Sequence, residues 1–98
     1  VKSLQDALYN WLSIKVVCDA RPEDKAAKET LLIFEQKLAE EHNVQDVVIN
    51  KNESVYKVTC KIFDNERTLQ FPVELIEFML RAIEREPNKY PIYNDLEK

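Results

Sequence analysis

The densest run of potentially reactive residues in the chain is Cys18-Asp19-Ala20-Arg21-Pro22-Glu23-Asp24. A thiol, acids and an arginine this close together suggest phosphate chemistry. A thiolate would attack phosphorus from a loop of the form C-x5-R, whose arginine and backbone amides grip the anion. Counting from Cys18 puts Asp24 at the arginine position, where a carboxylate would repel the substrate, and Arg21 lies too near in sequence to close such a loop. Lowering a thiol pKa takes cationic neighbours or a helix N-terminus aimed at sulfur. Cys18 instead ends an apolar helical run, where the helix dipole disfavours a thiolate. The segment therefore reads as a joint between two helices.

The remaining reactive parts are few. His42 is the only histidine, and it follows Glu40 and Glu41 at the end of a charged helical pattern. An imidazolium there complements the dipole, so a solvated structural role is expected. Cys18 and Cys60 are the only cysteines, and both fall on predicted core-facing positions, out of reach of a Cys-His pair. One histidine and two scattered cysteines lack C-x2-C or H-x3-H spacing, so no zinc site and no other metal is expected. Glu40-Glu41, Glu84-Glu86 and Asp95-Glu97 pair carboxylates on helix surfaces or in the C-terminal segment, without the burial that would separate their pKa values for acid–base work. The chain contains no glycine. Phosphate-cradling loops, dinucleotide fingerprints and nucleophile elbows all need glycine for tight turns or close backbone approach. No catalytic residue and no cofactor is expected.

Composition bounds the rest. Ninety-eight residues, 45% of them hydrophobic, suffice for one core, and a single domain over 1–98 is expected, with 88–98 as a C-terminal tail that packs back or docks. A net charge of −4 disfavours non-specific binding to nucleic acid or anionic lipid. No apolar run approaches the ~20 residues needed to span a bilayer. No charged-then-apolar leader opens the sequence, so a cytoplasmic address is expected. Two widely spaced thiols fit that address, as reduced and buried groups rather than a disulfide framework.

Periodicity places the elements. Leu4, Leu8, Trp11 and Val16, with Ala7 and Leu12 beside them, recur at helical spacing from Ser3, a predicted N-cap, to about Asp19. Residues 14–18 are β-branched enough to allow a strand, but nothing interrupts the helical period. A helix apolar on most sides needs cover on most sides and should be central. Pro22 is expected at the first position of a second helix, with Glu23 and Asp24 in its first turn and the stripe Ala27, Leu31, Phe34 and Leu38 facing inward. That helix should end near His42, with Asn43 as a left-handed cap. The period then changes to two, which predicts strands at Asp46 to Asn50, Val55 to Phe63 and Arg67 to Phe71, with turns at 51–54 and 64–66. Pro72 opens a last helix with a core stripe of Val73, Ile76, Leu80 and Ile83, widened by Leu75 and Met79, and Pro87 halts it. The expected fold class is α+β: two N-terminal helices, a three-stranded antiparallel meander and a C-terminal helix, with the helices packed on one sheet face.

Two surfaces could recognise a partner. Lys57, Thr59 and Lys61 line the outer side of the middle strand beside Thr68 and Gln70. Single-stranded nucleic acid would need stacking aromatics there as well, and Phe63 is the only candidate, so an acidic protein is the better fit for that side. The second surface combines Phe78 and Arg85, off the core stripe of the last helix, with Tyr90, Ile92 and Tyr93 of the tail. Large apolar groups that stay in water mark contact sites. The expected function is that of a small non-catalytic protein, regulatory or adaptor in type, acting through a protein partner or self-association. A cysteine enzyme and a nucleic-acid binder using the sheet face are the alternatives. No membrane contact is expected.

Overall fold

The computed structural model describes residues 3–85, in the order α1 (Leu4–Ala20), α2 (Lys25–His42), β1 (Val44–Lys51), β2 (Val55–Ile62), β3 (Asn65–Pro72), α3 (Val73–Ile76) and α4 (Phe78–Arg85). Helix α1 starts where Ser3 Oγ accepts a hydrogen bond from the Asp6 amide at 3.1 Å. It continues through the β-branched residues 14–18 to Ala20, so the helical period prevails over local strand preference. Its two halves bury different faces. Leu8, Trp11 and Leu12 enter the main core, while Val17 and Cys18 pack in a second cluster with Ala27 and Ile83. Contacts with α2, α3 and α4 put α1 at the centre of the helical layer, the place its apolar circumference demands.

The joint after α1 differs from expectation. Pro22 and Glu23 form a turn outside either helix, and α2 begins at Lys25 with Asp24 as its N-cap. The Asp24 carboxylate accepts from the Ala27 amide at 3.0 Å and pairs with Arg21 Nε at 3.4 Å. A carboxylate that satisfies an orphan amide fixes the boundary more firmly than proline, which only pre-sets φ. Helix α2 closes on Asn43, whose φ of 57° and ψ of 34° lie in the left-handed region, and the Asn43 amide donates to the Leu38 carbonyl. In a chain without glycine, asparagine takes that position at low steric cost.

The sheet is an antiparallel meander in the order β1-β2-β3. Strand β1 is longer than periodicity suggested because Val44 pairs with Ile62 directly after the helix cap. A bulge between Gln45 and Val48, with Asp46 at a φ of 52°, lets both Val47 and Ile49 reach the core. The β1–β2 turn is organised by Asn52, whose Oδ1 accepts from the amides of Ser54 and Val55 at 2.7 and 2.8 Å. The β2–β3 turn is tighter than expected: it is Phe63-Asp64 rather than residues 64–66, so β3 begins at Asn65 and runs to Pro72. A two-residue hairpin matches the strand twist and lets Lys61 face Glu66 across the ladder. It also forces Phe63 to a φ of 57°, a conformation costing roughly 1–2 kcal/mol for a residue with a Cβ.

Tyr56, Val58, Cys60 and Phe71 on one face of the sheet join Leu8, Trp11, Leu12, Leu38, Val44, Val73 and Ile76 in the main core. The helices thus cover one face, as the alternation required. Lys57, Lys61, Thr68 and Gln70 stay exposed on the other face, with Thr59 half-buried among them. The last helix departs from expectation twice. It opens at Val73, after Pro72 as N-cap, and Glu77 interrupts it. Val73, Ile76 and Ile83 are buried with Leu80 partly covered, but Leu75 and Met79 do not widen the core: they are 48% and 49% exposed. Helix α4 rests mainly on α1, and no second element covers its flank. Among the described residues no helix is long and apolar enough to cross a membrane.

Candidate functional site

The interruption at Glu77 sets apart two sites with opposite chemistry. On the sheet side Glu77 itself is buried, 8% exposed, and is the only buried charged residue among those described. Its Oε2 accepts from Tyr56 Oη–H at 2.5 Å and from Lys51 Nζ at 2.9 Å, and its Oε1 accepts from Arg81 Nη2 at 2.9 Å. Lys51 also lies over the Tyr56 ring, 5.3 Å from its centroid. The phenol and ammonium hydrogen bonds hold the Glu77 carboxyl below the usual carboxylate range, outweighing burial. Burial, and then the bond to Glu77, pushes the Tyr56 phenol up. Lys51 is raised as well, first by its bond to Glu77.

These residues edge a groove of about 350 Å³, walled by Leu12, Val16 and Leu80. A catalytic base or acid works best with a pKa near the operating pH. Here the carboxyl is driven down and the phenol up, each away from neutrality. With both carboxylate oxygens engaged, the arrangement is a clamp tying the last helices to the sheet.

The opposite side of α3 and α4 is apolar and open. Phe78 is 65% exposed and stands between two concavities. One, of about 230 Å³, runs along α1 and is lined by Tyr9, Ser13, Ile14 and Phe34 together with Leu75 and Met79. The Ser13 Oγ in its wall is buried without a hydrogen-bond partner among the described residues. The other concavity is shallow and charged, bounded by Glu74, Arg81, Glu84 and Arg85. Leu75, Phe78 and Met79 form a contiguous exposed apolar ridge of the kind that marks a contact surface.

Phe78 and Arg85 therefore share one face, as their sequence positions implied. Tyr90, Ile92 and Tyr93, assigned to the same surface, lie outside the described residues. Lys57, Thr59 and Lys61 do line the outer sheet face. Phe63, the aromatic expected beside them, sits instead at the hairpin tip, 71% exposed. The ridge residues Leu75 and Met79 escaped sequence reasoning because they fit a broad helical core stripe. The clamp escaped it because it joins residues 21 and 26 apart. Its available signals were the Glu77/Arg81 spacing of four and the need of a buried tyrosine hydroxyl for a partner.

Both cysteines are free and buried. Burial raises the Cys18 thiol, with Asp19 and Asp24 adding to it, and burial raises Cys60 against a smaller opposing effect of Arg67. His42 is less solvated than expected: it is half-buried in the last turn of α2, and its Nε2 has no partner among the described residues. Among those residues no group of three or more His, Cys, Asp or Glu could hold a metal ion. No protein family, curated protein or solved structure matches the chain.

Proposed function

We propose that this chain is a small non-catalytic protein of regulatory or adaptor type, acting in the cytoplasm by binding protein through the α3–α4 face. The observation that carries the reading is Phe78, held in water between Leu75 and Met79 beside a groove that could seat a side chain. An aromatic anchor next to an apolar pocket, rimmed by charge, is the composition of an interface hot spot. The raised thiols fit the same reading, since a nucleophilic cysteine needs a lowered pKa and access. The cytoplasmic assignment rests on two free thiols buried apart from each other in a core that needs no disulfide.

Affinity capture from source cells tests the reading, with the wild-type chain, a Phe78→Asp variant and a Lys57→Glu/Lys61→Glu variant as baits. A partner retained by the sheet-face variant and lost by Phe78→Asp is the expected result. Loss with the lysine variant alone would move the interface to the sheet. Fast iodoacetamide labelling of the native protein near neutral pH would bring back the cysteine-enzyme reading.

A further inference from the structure

The α3–α4 face has the form that a second copy of the same chain would require. A two-fold interface uses one patch twice, so the patch must complement itself in shape and in charge. In shape, the projecting group and the recess lie side by side: Phe78 stands on the rim of a concavity of about 230 Å³ lined by Tyr9, Ile14 and Phe34. An axis beside Phe78 would let each ring enter the other copy's recess. In charge, Glu74, Phe78, Arg81 and Arg85 follow one another at spacings of four, three and four residues, which places them on one helical stripe. That stripe is acidic at its start, aromatic at its middle and basic at its end.

At 1.5 Å of rise per residue, Glu74 lies about 6 Å before Phe78, Arg81 about 4.5 Å after it and Arg85 about 10 Å after it. Two such stripes crossing antiparallel at Phe78 set the Glu74 of each copy against the Arg81 and Arg85 of the other. Run parallel, they would set like against like. Arg81 gives one of its five N–H groups to Glu77 Oε1 and remains 58% exposed, so most of its donors still face outward.

We infer that the α3–α4 face is the contact of a two-fold homodimer, with each Phe78 seated in the partner copy's groove and Glu74 paired across the axis with Arg81 and Arg85. The inference rests on the proposed docking role of this face and names its occupant.

Sedimentation equilibrium on the full chain from micromolar to submillimolar concentration tests it. The wild-type chain is expected to reach twice the monomer mass. Phe78→Asp should weaken association by roughly 30-fold or more, the loss typical of a hot-spot residue. Glu74→Arg should weaken it by roughly 5-fold, as a rim charge does, and Glu74→Arg/Arg85→Glu should recover at least half of that loss. If circular dichroism shows Phe78→Asp to be unfolded, Phe78→Ser and Met79→Lys take its place with the same expectation.

A wild-type chain that stays monomeric throughout overturns the homodimer. So does a dimer indifferent to substitution at residues 74, 78 and 79, which would place the contact elsewhere, for example on the open edge of β3. A monomeric chain whose captured partner is lost in Phe78→Asp would overturn the homodimer while leaving the docking role of the face in place.

Discussion

Glu77 and Phe78 are neighbours in the chain and occupy each other's customary environments. The carboxylate is buried and the aromatic ring stands in water. The difference between them lies in partners. Glu77 receives three hydrogen bonds, from the phenol of Tyr56, the ammonium of Lys51 and the guanidinium of Arg81, which together offset the cost of removing its charge from water. Phe78 has no such compensation within its own fold. Its exposure gives up the roughly 1.5–3 kcal/mol that burying an aromatic side chain supplies. A buried charge with every partner in place is explained by the fold that surrounds it. An exposed ring beside an apolar groove is explained by something that comes to it. The clamp belongs to stability and the ridge to recognition, although one peptide bond separates them.

The contrast can be broken most forcefully at the carboxylate. Glu77→Gln keeps the shape but sets an amide group against donors, and it should cost about 2 kcal/mol near neutral pH in urea unfolding. The same substitution should reshape the acid limb. The folded pKa of Glu77 lies below its unfolded value of about 4.3, so its contribution is fully present above that value and is lost as pH falls through the folded pKa. Wild type and Glu77→Gln should therefore converge in stability in strong acid and diverge as pH rises towards 6. A constant gap across that range would mean that the charge of Glu77 is not what stabilises the clamp.

Removing one donor is milder. Tyr56→Phe deletes the phenol and leaves its ring in the core, with an expected loss of about 1 to 1.5 kcal/mol. It should also remove part of any alkaline transition. The raised phenol pKa contributes stability that is present below about 10 and is lost as pH rises through the folded value. The smallest effects belong to the ridge. Leu75→Ser and Met79→Ser should each change stability by no more than about 0.5 kcal/mol, the usual range for surface substitutions. A loss of about 2 kcal/mol at either position, measured by thermal unfolding, would show that the ridge is core.

Most of the architecture was legible in the sequence because it is written in periods. The stripe Ala27, Leu31, Phe34 and Leu38 made α2 recognisable, the alternation from Tyr56 to Ile62 set the buried sheet face, and Asn43 marked a left-handed cap. The misreadings occurred where one contact overrode a local preference. Asp24 claimed the start of α2 from Pro22 because a cap needs an acceptor. Phe63 entered a turn position that its Cβ disfavours because the ladder pairing of Lys61 with Glu66 and Ile62 with Asn65 fixed the hairpin at two residues.

The candidate site was half legible. Phe78 and Arg85 could be read as off-stripe positions. Leu75 and Met79 could not, because helical spacing alone does not reveal how many neighbours a helix has. Glu77 lies farthest from local inference, since its partners Lys51 and Tyr56 arrive by tertiary folding.

The central claim is that residue 77 serves the fold and residue 78 does not. Urea unfolding of Glu77→Ala and Phe78→Ala, measured side by side at dilutions where the chain is monomeric, tests it most directly. The expected losses are about 3 kcal/mol for Glu77→Ala, which strands a buried phenol and breaks a desolvated ion pair, and less than about 0.5 kcal/mol for Phe78→Ala. Equal losses, or a larger one at Phe78, would contradict the account and make the ring part of the core.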